Sequence, residues 1–160
     1  MDGYLFLKFM HIIGAAVLLG TGAGIAFFMV LAHRTGRAHA VAEVARIVVI
    51  ADFVFTATAV VAQPVTGVVL AWIVGYSLTE GWIVISIVLY LVTGAFWLPV
   101  VWMQMRMRDL AAQAAATGSS LPVMYHRFFW LWFAFGFPAF ASVVAIFWLM
   151  IARPQLDLWP

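Results

Sequence analysis

The sequence predicts an all-α integral membrane protein, a four-helix bundle that forms a single transmembrane domain over residues 1–160. Two observations predict this class. Hydrophobic residues make up 67% of the chain and charged residues only 9%, whereas soluble domains are near half apolar and a quarter charged. Four apolar stretches are also long enough to cross a bilayer, whose core of about 30 Å needs roughly 20 helical residues. We therefore expect the lipid bilayer to be the main partner of the surface.

The four predicted spans cover residues 4–32, 47–76, 81–103 and 128–151. An Ala-rich segment at 109–121 follows the third span. Its first part can prolong the third helix, and Thr117, Gly118 and the two serines after them then end it. We expect a solvated loop there.

The basic residues predict the orientation of the bundle. Six of the eight Lys and Arg residues fall near the connections after the first and third spans, namely Arg34, Arg37, Arg46, Arg106, Arg108 and Arg127. The positive-inside rule places those connections in the cytoplasm. Both termini are then expected on the outer, periplasmic side of a bacterial cytoplasmic (inner) membrane.

Several kinds of site are excluded by what the sequence lacks. The absence of cysteine removes disulfides, thiolate metal sites, iron–sulfur clusters and cysteine nucleophiles. The sequence contains no Gly-rich phosphate loop, no HExxH motif and no ladder of acidic residues like that of an ion-coupled transporter. The net charge of +2 is too small to indicate a nucleic-acid partner.

Small residues recur in the first span, where Ala16, Gly20 and Gly24 lie four residues apart. This spacing lets helix backbones approach each other closely. It also leaves room for a flat ligand beside the helix, and the sequence does not separate the two interpretations.

Pro64 lies inside the second span and removes a backbone hydrogen bond there. The carbonyl group that loses its partner needs another one, because lipid supplies none. Gln63 and Thr66 are close in sequence, and we expect their side chains to satisfy the freed groups.

His11 is the first of the ionisable residues within the spans, which are functional candidates by default. It lies roughly 10 Å inside the first span, and Lys8 precedes it by one turn on the same face. A neutral imidazole can ligate haem iron, bind a metal or transfer a proton. The alternative is a histidine that hydrogen-bonds a neighbouring helix, with Lys8 extending to the interface.

Asp52 is expected about one turn inside the cytoplasmic end of the second span. It either pairs with Arg46, Arg127 or a helix terminus, or it relays protons. His33 and His126 fall at the inner boundary, where both can line a shallow site.

Helix geometry limits the ligands that can join His11 on one iron. His33 follows twenty-two residues later, roughly 33 Å along the helix. Two axial ligands of one haem lie only about 4 Å apart, given metal–nitrogen bonds near 2 Å. No second histidine can therefore share an iron with His11, and Tyr90 and Met150 remain as candidates for a sixth ligand.

Four segments carry a family resemblance, namely Leu7–Ile13, Gln63–Gly67, Phe96–Arg106 and Tyr125–Pro138. They resemble a bacterial family of predicted integral membrane proteins of unknown function. More distantly, the chain is similar to HemJ-type protoporphyrinogen oxidases and CopD-like membrane proteins. Lys8 with His11, the histidine at the end of the first span, and Arg127 with the two phenylalanines after it match the HemJ pattern.

That resemblance implies a membrane protein that binds haem b or a porphyrin, with His11 as ligand and a redox or haem-handling role. The third span departs from the pattern, because it opens with Gly81 and Trp82 but lacks the histidine and lysine of the oxidases. The alternative function is a non-enzymatic small subunit that packs against other membrane subunits or forms a homo-oligomer. A small transporter or metal permease is a third class.

Overall fold

A computed structural model describes residues 2–156 and shows four long helices in that part of the chain. They are α1 (Asp2–Arg34), α2 (Ala38–Val74), α3 (Gly81–Ala116) and α4 (Val123–Ala152). Each is long and apolar enough to cross a membrane, and residues 2–156 include no strand. The predicted all-α membrane class is confirmed.

The helices extend further than the predicted spans at the end of the bundle that carries the arginine-rich connections, which we call the basic end. There α2 begins at Ala38 instead of residue 47, and α3 continues to Ala116 instead of residue 103. The extension of α3 is helical because its alanines pack inward, with Ala111 and Ala114 buried. As the sequence indicated, the Ala-rich part of 109–121 prolongs α3 and the helix ends at Thr117, followed by Gly118 with φ +65°.

The opposite end of the bundle, which we call the terminal end, carries the N-terminus of α1 and the end of α4. The connection between α2 and α3 also lies there, since Arg153 after α4 donates a hydrogen bond to the Tyr76 hydroxyl at 3.1 Å. Short connections between successive helices produce this up-and-down arrangement.

Packing differs between the two halves of the bundle. Helices α3 and α4 pack along each other, and the first half of α2 packs against α3 and α1. The second half of α2, Ala57–Val74, packs closely against α1 and meets α3 and α4 mainly near its end, where Ala71 lies against Trp82 and Leu149. The bundle is therefore more open in its terminal half.

The buried core follows the same asymmetry. It lies in the basic half and consists of Ile25, Met29, Ala32, Val41, Ala45, Val48, Val100, Met103, Met107, Ala111, Leu121, Tyr125, Phe129 and Trp132. A smaller cluster closes the terminal end, with Ala71, Trp82, Ile83 and Leu149. Neither cluster includes the first part of α1, where none of residues 3–24 is buried. Large apolar side chains such as Phe6, Phe27, Trp72 and Trp148 are exposed, as lipid contact requires.

A π-helical turn interrupts α2 at Asp52–Thr56, where the backbone N–H of Ala57 bonds the Asp52 carbonyl five residues earlier. Such widened turns occur mostly inside α-helices and often at functional sites. This turn lies near the middle of α2, and it marks the point at which α2 separates from α3.

Pro64 frees the carbonyl of Val60, which would otherwise bond the backbone N–H of residue 64. The Tyr90 hydroxyl of α3 donates a hydrogen bond of 2.6 Å to this carbonyl. Our expectation that Gln63 and Thr66 satisfy the freed group was wrong, because both side chains bond elsewhere. The proline thus creates a polar link between two helices that otherwise hardly pack.

We expect Tyr90→Phe to lower the free energy of unfolding by about 1 kcal/mol, a typical value for a hydrogen bond between membrane helices. In a Pro64→Ala background the loss should be much smaller, because the substituted alanine supplies its own backbone N–H to the Val60 carbonyl. Reversible unfolding in mixed micelles measures both. An equal loss in the two backgrounds would contradict the assigned hydrogen bond.

Candidate functional site

His11 lies at the interface between α1 and the terminal half of α2. Its Nδ1 atom is 2.7 Å from the Thr66 hydroxyl oxygen. The Gln63 side chain donates a hydrogen bond of 3.0 Å to the backbone carbonyl of His11. Two residues of α2 therefore hold the same residue of α1, one through its ring and one through its backbone.

Glycines on both helices make this approach possible. A Cβ atom added to Gly67 would lie 3.3 Å from Cε1 of the His11 ring, and one added to Gly14 would collide with the Gln63 amide. The His11 ring therefore packs against the backbone of α2 at Gly67, and the Gln63 side chain packs against the backbone of α1 at Gly14. The arrangement is reciprocal because Gly14 follows His11, and Gly67 follows Gln63, by about one turn.

The hydrogen bonds of Thr66 determine which nitrogen of His11 carries the proton. The Thr66 hydroxyl donates to the carbonyl of Ala62 at 2.7 Å, with that of Gln63 at 3.2 Å. Since a hydroxyl has one hydrogen, a Thr66 that donates to Ala62 accepts the hydrogen bond from His11 Nδ1–H, and we assign this tautomer to His11. The Nε2 atom then bears the lone pair, and it makes no hydrogen bond to another residue within 2–156.

The other residues predicted for the haem site, Lys8, Tyr90 and Met150, form no hydrogen bond with His11. Lys8 is exposed, with its ammonium 5.8 Å from the centre of the Tyr4 ring. The Tyr90 hydroxyl is engaged by Val60, and Met150 is 36% exposed on α4. The structure thus brings together His11, Gln63 and Thr66, whereas Tyr90 binds α2 one turn before them.

His33 and His126 lie together at the basic end, as the sequence placed them. Their ring centres are 5.4 Å apart, and His33 stacks on Phe129 at 3.6 Å. The Nδ1 atom of His33 is 3.3 Å from the Tyr125 hydroxyl. Residues 2–156 contain no group of three His, Cys, Asp or Glu side chains that could hold a metal ion.

Asp52 has a different environment from the one that we expected. It is only 3% exposed and lies in the π-turn near the middle of α2. The expected pairing with arginine was also wrong, since Asp52 forms no ion pair with any residue in 2–156 and Arg46 pairs with Glu43 at 3.4 Å.

Neutral side chains from two other helices surround the Asp52 carboxyl group. Trp97 of α3 donates its indole N–H to Oδ1 at 3.3 Å. Gln104, oriented so that its amide N–H faces Asp52, donates to Oδ2 at 2.8 Å and accepts from the indole N–H of Trp132 of α4 at 3.1 Å. Sequence reasoning missed Trp97 and Gln104 as partners of Asp52, and it missed Trp132 as the residue that holds Gln104.

The glycines of α1 do not share one role. Only Gly14 lies against another helix, whereas a Cβ on Gly20, Gly22 or Gly24 would meet nothing within 4 Å. The same is true of Gly94 in α3 and of Gly136 in α4, although both are partly buried. Among these six glycines, close packing against another helix therefore accounts for Gly14 and leaves space beside the other five.

We expect Thr66→Val to release the His11 ring from its single tautomer, because the acceptor for Nδ1–H is lost. Nitrogen-15 chemical shifts of the labelled imidazole in a bilayer report the protonated nitrogen directly. The wild type and Thr66→Ser should show Nδ1–H alone, and Thr66→Val should show both tautomers. A wild-type ring protonated at Nε2 would refute the assignment.

Comparison with known proteins assigns the chain to a family but gives no activity. The family model described as "Predicted integral membrane protein (DUF2269)" matches residues 5–154. No curated protein and no solved structure matches the chain.

Proposed function

The chain belongs to this family of predicted integral membrane proteins, and we propose that it binds one haem b or a related porphyrin through His11. The observation that carries the proposal is the His11 ring, which Thr66 holds through Nδ1 so that Nε2 is free to ligate. Metal-ligating histidines almost always donate their other N–H to a fixed acceptor in this way. The proposed role is redox chemistry or haem handling.

His11 lies in the less densely packed half of the bundle, which supports the proposal of a bound ligand there. The terminal half of the bundle lacks the dense core of the basic half, and α2 stands apart from α3 and α4 there. Lys8 lies one turn nearer the terminal end, where its exposed ammonium can pair with a carboxylate of the ligand.

A bound haem would supply one-electron redox chemistry at this place, with its potential tuned by the axial ligand and its hydrogen bonds. The protein's part is to orient the His11 ring, which it does through Thr66, Gln63 and Gly67. Tyr90 and Met150 stay candidates for the opposite axial position. Tyr90 would have to give up its hydrogen bond to Val60 to serve there.

One observation favours the alternative of a small subunit that packs against other membrane subunits or a second copy. Ala16 and Gly20 are exposed, and a Cβ on Gly20 or Gly24 would meet nothing within 4 Å. Small residues on an outward face allow a partner helix to approach closely. This role needs no cofactor at His11.

We expect the purified wild type to take up about one haem per chain and to show a Soret band that shifts on reduction by dithionite. His11→Ala should lose this band, whereas His39→Ala, which removes an exposed histidine, should keep it. Absorption spectra before and after addition of haem measure both.

A wild type that stays colourless when haem is supplied would overturn the haem proposal. The subunit alternative then predicts co-purifying membrane proteins, or a dimer, that disappear in Gly20→Leu. An unchanged Soret band in His11→Ala would instead move the ligand to another residue.

We also propose that the basic end faces the cytoplasm of a bacterial inner membrane, because the arginines of the connections cluster there. The chain has no cysteine, so single cysteines can report the orientation. Leu78→Cys in the connection between α2 and α3 should react with an impermeant maleimide in intact cells. Ser120→Cys, in the connection between α3 and α4, should react only after the membrane is opened, and the reverse result would invert the orientation.

A further inference from the structure

Within residues 2–156, Asp52 is the only titratable side chain in the middle of the bundle. The titratable residues nearest to this level are Arg46 on α2 and Tyr76 after it, His11 and His33 on α1, Tyr90 and Arg106 on α3, and Arg127 on α4 and Arg153 after it. Arg46, the nearest of them in sequence, is exposed and pairs with Glu43. No cation in the described residues therefore offsets a negative charge on Asp52, which is buried where ionised groups are disfavoured.

The partners of the carboxyl group hold its position without supplying charge. Trp97 and Gln104 each donate one N–H, to Oδ1 and Oδ2 respectively. The Gln104 amide cannot reverse, because Trp132 donates to its oxygen and an indole nitrogen cannot accept a hydrogen bond. The carboxyl group is thus oriented by three helices, and each oxygen keeps a lone pair that these donors do not use.

The Thr56 hydroxyl is a second, independent observation at the same place. Thr56 lies one turn after Asp52, is 6% exposed, and its Oγ1 makes no hydrogen bond within residues 2–156. A threonine in a helix usually donates to the carbonyl four residues earlier. Here that carbonyl belongs to Asp52 and takes the N–H of Ala57 in the π-turn.

A hydroxyl can either donate or accept, whereas the N–H groups of Trp97 and Gln104 can only donate. Thr56 is therefore the group beside Asp52 that can adapt to both states of the acid. Such a hydroxyl can donate to an ionised carboxylate and can accept the O–H of a neutral carboxylic acid. The π-turn brings this unpaired hydroxyl and the carboxyl group to the same buried face of α2.

We propose that Asp52 is a reversible proton-binding site in the middle of the membrane-spanning bundle, with Thr56 as its switchable partner. The proton adds to a free lone pair of the carboxylate and forms an O–H bond, and no other bond is broken. Trp97 and Gln104 keep their hydrogen bonds in both states. The site shares no residue with the His11 site and does not depend on haem binding.

The test is infrared spectroscopy of the protein in lipid nanodiscs across a pH titration. A neutral carboxylic acid has a carbonyl stretch separate from those of carboxylates and amides, and the band shifts in heavy water. We expect one such band that rises and falls reversibly with pH in a single-proton titration. Aspartate labelled with carbon-13 should shift the band in the wild type, which identifies an aspartate without any substitution.

Variants then locate the proton. Asp52→Asn should lose the band, Thr56→Val should change its frequency, and Glu43→Gln, which removes an exposed carboxyl group, should leave it unchanged. His11→Ala should keep the band, which separates this site from the haem proposal. If Asp52→Asn does not fold, the labelled wild type together with Thr56→Val still carries the test.

Three outcomes would overturn the proposal. An aspartate band that is absent at every pH at which the protein is folded would mean a permanently ionised Asp52. A band that persists unchanged throughout would mean a permanently neutral one. A band that disappears on addition of sodium ions at constant pH would assign the site to a metal cation instead.

Discussion

Polar groups within the membrane-spanning helices must find their hydrogen-bond partners inside the protein, because the surrounding lipid offers none. The helices are joined by the pairs that result. Thr66 and Gln63 join α2 to α1 through His11, and Tyr90 joins α3 to α2 through the carbonyl that Pro64 frees. The carboxyl group of Asp52 gathers donors from α3 and, through Gln104, from α4. Each link orients a helix about its axis, which apolar contacts with lipid cannot do.

These links matter most where apolar packing is weakest. In the basic half, Met29, Met107 and Tyr125 are fully buried, and dense packing holds the helices together. In the terminal half the interior positions of α1 are only partly buried, and α2 has left the other two helices. One half is thus suited to rigidity and the other to receiving a ligand. The π-turn at Asp52–Thr56 lies at the boundary between them.

The sequence identified the titratable residues of the candidate sites but not the side chains that bond them. His11 and Asp52 stand out in the sequence because ionisable residues are costly within a span. Their partners do not stand out. Gln63 and Thr66 were noticed as neighbours of Pro64, yet the structure uses them for His11 and leaves the freed carbonyl to Tyr90. Which side chain reaches which partner depends on the rotation and separation of helices that are far apart in sequence.

The sequence by itself determined the class of the protein, the number of its membrane-spanning helices and the position of the residues that lipid makes costly. It did so because hydropathy and length are properties of single segments. Only the tertiary structure decided that Thr66 contacts the Nδ1 atom of His11 and that Asp52 has neutral partners instead of arginine. Those outcomes depend on contacts between helices, and apolar segments carry little information about which of their faces will meet.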